Sequence, residues 1–167
     1  MKKFFLELSK IENGEYKYKE QIISTGMGSR SPYDVHILKI NYKDQQIIIK
    51  NEIGTANIGS VLCELPISIK QTEFSIRTRS HFFKLFSKDE NAFIIKCLND
   101  NLKNYFHTNL NALEKYTLET QFELSINGAL NNSRFEIITE YNLIFENREK
   151  VLIALIQLYK DLINNLY

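Results

Sequence analysis

The stretch LETQFELSINGALNNSRFEIITEYNLIF, residues Leu118–Phe145, contains the clearest strand pattern in the chain. Apolar and polar residues alternate on both sides of a central segment that is rich in Asn and Gly. A period of two places the apolar side chains on one face of a strand, and Asn, Gly and Ser favour a turn. The pattern predicts a long hairpin with its turn in NGALNNS and one buried face, formed by Leu118, Phe122, Leu124, Ile126, Phe135, Ile137, Tyr141, Leu143 and Phe145.

The end of the chain, NREKVLIALIQLYKDLINNLY, has a helical pattern instead. Asn147 is a residue type that caps helices, and apolar residues then recur every three to four positions. Lys160 and Asp161 interrupt the run before the roughly 20 apolar residues that a membrane span needs, so we expect no membrane span. The pattern predicts a long amphipathic helix that lies across the sheet with a stripe of Val151, Leu152, Leu155, Ile156, Tyr159, Leu162, Ile163 and Leu166.

Shorter patterns predict further strands. DVHILKINY and QIIIKNEI are rich in β-branched residues and are separated by turn-forming residues, which predicts a hairpin in which Tyr42 faces Ile47. His36 then lies on the same apolar side as the leucine two residues later. Strands near Ser60–Leu65 and Glu73–Thr78 extend the sheet.

Three segments favour helices. The first dozen residues fit a short helix, although a segment of this length also fits a strand. Ser80 precedes HFFKLF, whose phenylalanines have helical spacing. Asn99 or Asp100 can cap one or two helices in the segment that follows.

These patterns together predict an α+β fold for a single domain, residues 1–167. A mainly antiparallel twisted sheet carries helices on one face, and the long C-terminal helix packs across it. The composition agrees with this fold, because a chain of 167 residues with 44% hydrophobic and 25% charged residues can bury a substantial core.

Charge and cysteine content limit the classes of function. The chain has 21 basic and 20 acidic side chains and a formal net charge of +1. No global field attracts a polyanion, so we do not expect a nucleic-acid partner unless a local patch supplies the charge. Cys63 and Cys97 belong to no C-x-x-C pattern, which favours reduced thiols in a soluble cytoplasmic protein.

The stretch EFSIRTRSHFFKLFSK contains the one local basic patch that we single out. Arg77 and Arg79 lie on the same face of the predicted strand, and the helix predicted after Ser80 would bring His81 and Lys84 near them. These four basic side chains form a candidate phosphate or RNA site. The alternative is a solvated strand face, because Glu73 shares the face of both arginines and can pair with them.

Other chemistry has little support in the sequence. The three histidines are scattered and have no metal-ligand spacing, and neither a phosphate-binding loop nor a nucleophile motif occurs, so we expect no metal and no cofactor. Glu119, Glu123, Glu136 and Glu140 share the polar face of the predicted hairpin, where exposure to water favours ordinary solvated carboxylates. An enzyme has no positive support.

Three functions remain as expectations. The first is a non-catalytic protein-interaction module that binds another protein or itself as a homodimer, with Ile153 and Leu158 outside the main stripe of the last helix as contact residues. The second is a small hydrophobic-ligand carrier with a pocket between the curved sheet and the C-terminal helix, lined by Phe122, Ile137, Tyr141 and Tyr159. The third is phosphate or RNA binding at the basic patch.

Overall fold

Eight strands and four helices make up the described part of the chain. The computed structural model describes residues 1–24, 30–54, 56–68, 70–79, 92–119 and 122–166. The strands are β1 (Glu15–Ser24), β2 (Arg30–Tyr42), β3 (Gln45–Ile53), β4 (Ile58–Pro66), β5 (Phe74–Thr78), β6 (Phe93–Cys97), β7 (Leu124–Asn131) and β8 (Arg134–Asn142). The helices are α1 (Lys2–Ile11), α2 (Asp100–Asn109), α3 (Asn111–Glu119) and α4 (Arg148–Leu166).

All eight strands form one antiparallel sheet, in the order β1-β2-β3-β4-β8-β7-β5-β6. The first four strands follow one another as a meander. The hairpin β7–β8 then lies between β4 and β5, although it comes later in the chain than both. The pairing of β4 with β8 is therefore the junction between the two halves of the sheet.

The four helices cover one face of this sheet, which confirms the predicted α+β fold with its long C-terminal helix. Apolar residues of alternate strand positions and of all four helices belong to a single core cluster. Every residue of the predicted stripe of α4 is buried, and Leu158 is buried with them. The opposite face carries no helix within the described residues, and we call it the open face; one row of neighbours across it contains Lys50, Ser60, Glu140, Ser125 and Arg77.

Tyr159 of α4 is hydrogen-bonded to both strands of the central junction. Its hydroxyl lies 2.9 Å from the carbonyl oxygen of Val61 on β4, 3.2 Å from that of Ile137 on β8 and 2.9 Å from Oγ1 of Thr139. Tyr159 and Thr139 are completely buried. Burial raises the pKa of this phenol, so that it stays protonated and can donate to a carbonyl.

Two glycines let aromatic rings lie flat against the sheet. Gly59 of β4 pairs with Tyr141 of β8, and a Cβ atom at Gly59 would overlap the tyrosine ring. Gly128 has the same relation to Phe74 on β5. The Tyr141 ring thereby reaches past β4, and its hydroxyl donates a hydrogen bond of 2.6 Å to Oδ1 of Asn51 on β3. A glycine within a strand often marks such a close approach.

Helix α1 packs on β1 and β2 through an aromatic cluster around His36. The Phe5 ring stacks on the imidazole with centroids 5.3 Å apart, and the Tyr16 hydroxyl lies 2.7 Å from Nδ1 of His36. Burial is the main cause that lowers the pKa of His36 below its ordinary value, although Asp34 opposes it. His36 is 2% exposed and lies on the same buried side of β2 as Leu38, as predicted.

The first strand of the long hairpin starts later than predicted. The alternation predicted a strand from Leu118, but α3 continues through Glu119 and β7 begins only at Leu124. Leu118 and Phe122 are four residues apart, and this spacing fits one side of a strand as well as one side of a helix. The prediction was wrong here because the pattern could not distinguish the two structures.

The strands of this hairpin extend further towards the turn than predicted, and β8 ends earlier than predicted. The turn contains only residues 132–133, because β7 continues through Asn131 and pairs there with Arg134. β8 ends at Asn142, and the two apolar residues that were predicted to extend it, Leu143 and Phe145, are buried in the loop that leads to α4.

The hairpin β2–β3 also closes with a two-residue turn. Lys43 and Asp44 both have positive φ angles, 49° and 61°, which are typical of the primed turns that match the twist of paired strands. Tyr42 therefore pairs with Gln45 and not with Ile47, so the predicted register was wrong. The assignment of side chains to faces was nevertheless right, since the register differs by an even number of residues.

Strand β1 was not predicted. Its sequence EYKYKEQIIS alternates, but the side that faces the helices carries Tyr16 and Tyr18 and the other side carries Lys17 and Lys19. The helix predicted after Ser80 lies outside the described residues.

We expect Tyr159→Phe to lower the free energy of unfolding by about 1–3 kcal/mol, because the change leaves buried polar groups of β4 and β8 without their partner. Chemical denaturation of both proteins would measure this difference. Tyr42→Phe is the matched control, because the Tyr42 hydroxyl is exposed and its bond to Asn164 is 3.3 Å long. Equal losses in the two variants would contradict the role assigned to Tyr159.

Gly59→Ala should lower the free energy of unfolding by about 1–3 kcal/mol, since the new methyl group must displace the Tyr141 ring from the sheet. The control is Ser60→Ala, which changes the next residue of β4. The Ser60 side chain lies on the open face, so this change should have little effect on the free energy of unfolding. Thermal or urea unfolding would test both. A neutral Gly59→Ala would mean that the ring does not occupy the position described.

The His36 cluster should make stability depend on pH. Because the pKa of His36 is lower in the folded protein than its ordinary value of 6.5, the unfolded chain binds the proton first as the pH falls. The free energy of unfolding should therefore be constant above pH 6.5 and decrease below it. Urea midpoints at about pH 7.5 and about pH 5.5, above the usual range of carboxyl groups, would measure the loss.

The matched variants are His36→Gln and His107→Gln. His107 is exposed on α2, and its replacement controls for the loss of a histidine, whereas His36→Gln should reduce the pH dependence. An equal pH dependence in the wild type and in His36→Gln would contradict the prediction.

Candidate functional site

A groove between α3 and α4 brings apolar side chains to the surface of the helical layer. It has a volume of about 550 Å³ and is lined by α3, by α4 and by the last residue of α2. Its apolar lining residues are Ala112, Leu113, Tyr116, Ile153, Ala154 and Leu158. Its polar lining residues are Asn109, Lys115, Lys150, Gln157 and Asp161. We call this feature the α3–α4 groove.

The two contact residues predicted on the last helix both line this groove, but they differ in exposure. Ile153 is 52% exposed, whereas Leu158 is only 4% exposed because it belongs to the core cluster. Ile153 can therefore contact a bound molecule with half of its side chain, and Leu158 contributes to the groove's inner wall. The sequence identified the α4 side of the groove through these residues.

The α3 side was not recognised from the sequence. Leu113 and Tyr116 are buried and three residues apart, and they lie in the segment where the sequence predicted one or two helices. The end of this helix was instead assigned to a strand beginning at Leu118. The sequence predicted a helix here, but it did not indicate that this helix lies beside α4.

Cations predominate among the charged residues of the α3–α4 groove. Lys115 and Lys150 line it from α3 and α4, and the Lys115 amine lies 4.9 Å from the centre of the Tyr116 ring. The carboxylate of Asp161 is the acidic group in the lining. An apolar surface with this charge balance favours an apolar ligand with acidic groups at its margin.

Two residues of the candidate phosphate site, Arg77 and Arg79, lie within the described residues. Arg77 is exposed on the open face of β5. It lines a shallow cleft of about 370 Å³ together with the carboxylates of Glu123 and Glu140. Nearby carboxylates oppose the binding of an anion at Arg77.

The other three residues of that candidate site are Arg79, His81 and Lys84. Arg79 follows β5 and is partly buried, and its backbone N–H donates to the carbonyl of Ala92 at 2.8 Å. His81 and Lys84 lie outside the described residues.

The candidate ligand-pocket residues all lie in the core between the sheet and the helices. Phe122, Ile137, Tyr141 and Tyr159 are each at most 4% exposed. Both tyrosine hydroxyls are hydrogen-bonded within the protein, Tyr141 to Asn51 and Tyr159 to the β4–β8 junction. The Phe122 ring packs 6.4 Å from the Tyr141 ring, centre to centre. These contacts use the side chains to fill the core.

Of the four glutamates predicted to share one sheet face, three lie on or beside the open face, where Glu123 and Glu140 line the same cleft. Glu136 and Glu140 lie on the open face of β8, and Glu123 is exposed just before β7. Glu119 belongs to helix α3. Within the described ranges, no group of three His, Cys, Asp or Glu side chains could hold a metal ion.

The two cysteines are unpaired and differ in their surroundings. Cys63 is buried on β4, and burial raises the pKa of its thiol to about 12. A thiol with so high a pKa carries very little thiolate at neutral pH and is a poor nucleophile. Cys97 is partly exposed on β6.

None of the helices in the described part of the chain is long and apolar enough to span a membrane. Comparison with models of known protein families, with curated proteins and with solved structures finds no match to this chain.

Proposed function

We propose that this protein is a non-catalytic protein-interaction module that binds an acidic amphipathic helix of a partner protein in the α3–α4 groove. The observation that carries the proposal is the half-exposed Ile153 in an apolar groove between two helices. Apolar side chains that stay exposed in a groove are a common feature of protein-binding surfaces.

The length of the groove suits a short helix. Its α4 side runs from Lys150 to Asp161, which at about 1.5 Å per residue gives about 16 Å, or three helical turns. A helix of this length presents apolar side chains at positions i, i+4 and i+7 to one groove. The buried Leu113, Tyr116 and Leu158 keep the walls fixed, so little ordering of the groove is needed on binding.

The charges of the groove select the occupant. Lys115 and Lys150 favour a helix whose apolar face is bordered by Asp or Glu. Asp161, at the other end of the α4 side, favours a basic residue of the partner there. This pattern would orient the bound helix as well as attract it.

The proposed module acts in the cytoplasm. Cys63 and Cys97 are both unpaired, as is usual for proteins of a reducing compartment.

The two other functions have less support. A carrier of small hydrophobic ligands would need its predicted lining residues to leave space, yet these residues pack against one another and use their hydroxyls within the core. Phosphate or RNA binding at the basic patch would place an anion at Arg77, in a cleft that also contains the carboxylates of Glu123 and Glu140.

Selection from a displayed library of amphipathic helical peptides would test the proposal. We expect enriched peptides to have apolar residues at helical spacing and acidic residues beside them. Ile153→Glu should weaken the binding of these peptides at least about tenfold, because it places a carboxylate against the apolar face of the ligand. Lys150→Glu should weaken it less, as is usual for an exposed charge.

Ile58→Glu is the matched control, because Ile58 is 50% exposed, almost as much as Ile153, but lies on the open face of the sheet. It should leave peptide binding unchanged. The proposal fails if no acidic amphipathic sequence is enriched, or if Ile153→Glu and Ile58→Glu affect binding equally.

A further inference from the structure

The central strands carry apolar side chains on the open face as well as in the core. Ile48 of β3, Leu62 of β4 and Ile138 of β8 are direct neighbours in one row across that face. Ile138 is 37% exposed, and the other two are partly exposed. The sequences III at 47–49 and VLC at 61–63 are continuous apolar runs, which are typical of strands that are covered on both faces.

The next row carries opposite charges on the two sides of β4. Lys50 of β3, Ser60 of β4 and Glu140 of β8 are direct neighbours in this row. The Lys50 side chain pairs with Glu52 on its own strand and remains 47% exposed. The patch formed by the two rows therefore has a cation on one side of β4, an anion on the other and an apolar centre.

We propose that this patch mediates a symmetric dimer of the chain, with two open faces packed together around a two-fold axis that runs parallel to β4 through Leu62. Such an axis places each row of one copy opposite the same row of the second copy. Within a row, residues on one side of β4 then face residues from the other side of β4 in the second copy. It places Leu62 of each copy against the other, Ile48 against Ile138 of the second copy, and Lys50 against Glu140 of the second copy. The contact between the two Leu62 side chains lies on the axis, and each of the other two contacts is made twice, as in an isologous interface.

The charges favour this axis over an axis that lies in the same plane but runs across the strands. An axis that runs across the strands would place each strand against itself, and Glu140 would then face Glu136 of the second copy. Two carboxylates in this position repel each other. The parallel axis does bring the Glu64 side chains of both copies together. Each Glu64, however, forms an ion pair within its own chain, with Oε2 lying 3.7 Å from Nε of Arg134.

The size of the face fits a small but specific interface. Five strands about 4.8 Å apart and about six residues long cover on the order of 500 Å² per copy, or about 1,000 Å² in total. This area is at the lower limit for specific complexes, so we expect a dimer whose dissociation constant lies between about 1 μM and about 1 mM. Two sheets packed face to face would be about 10 Å apart.

This dimer does not depend on the proposed peptide-binding function. The α3–α4 groove belongs to the helical layer, on the other side of the sheet, so both surfaces can be occupied together. Failure of either proposal leaves the other standing.

Sedimentation equilibrium between about 1 μM and about 1 mM protein would test the dimer. The wild type should show a reversible monomer–dimer equilibrium. Leu62→Lys should raise the dissociation constant at least about tenfold, because it places two ammonium groups on the axis. Circular dichroism would verify that the variant remains folded, as expected for a partly exposed position on the open face.

A charge exchange makes the test specific to the proposed axis. Lys50→Glu and Glu140→Lys should each weaken the dimer, and the double variant should return to within about threefold of the wild type because opposite charges again face each other. Ile153→Lys, in the α3–α4 groove, is the control and should leave the dimer unchanged.

Three results would overturn the proposal. One is a wild-type protein that stays monomeric over the whole concentration range. Another is a dimer that is indifferent to Leu62→Lys, which would place the interface elsewhere. The third is a dimer that responds to Leu62→Lys but is not restored by the charge exchange, which would exclude the parallel axis.

Discussion

The pairing of β4 with β8 is the interaction on which the rest of the structure depends. It joins the meander β1–β4 to the strands β7, β5 and β6, so that one continuous sheet supports all four helices. Tyr159 stabilises this junction from the core side, because its hydroxyl bonds to Val61 on one strand and to Thr139 on the other. The same residue joins eight other buried side chains of α4 in holding that helix on the sheet, and α3 packs beside α4. The α3–α4 groove therefore depends on this packing of α4.

Much of the fold could be predicted from the sequence because local periodicity determines it. The stripe of α4 and the two faces of β8 follow from the spacing of apolar residues, and both were predicted correctly. Strand β1 was missed because Tyr16 and Tyr18 alternate with lysines, a pattern that resembles a polar surface segment. The end of α3 was missed because the spacing of Leu118 and Phe122 fits both periods.

The order of the strands and the candidate site could not be predicted in the same way. The insertion of β7–β8 between β4 and β5 depends on contacts between residues that are far apart in the chain. The α3–α4 groove likewise depends on how two helices pack, although Ile153 was recognised as an apolar residue outside the stripe. The sequence also suggested a phosphate site at Arg77, and the proximity of Glu123 and Glu140 became visible only in the folded structure.

The register of the central strands connects the core with the open face. The Tyr141 ring packs against Gly59, and the hydroxyl of that tyrosine donates a hydrogen bond to Asn51 on β3. A shift of β8 by one residue would bury Glu140 in place of Tyr141 and turn the ring to the open face, so this pairing strongly specifies one register. Because neighbouring residues point to opposite faces, the register that places Tyr141 on Gly59 also aligns Glu140 with Lys50 across β4. The charge pattern of the outer surface is thus set by the packing of a tyrosine on a glycine in the core.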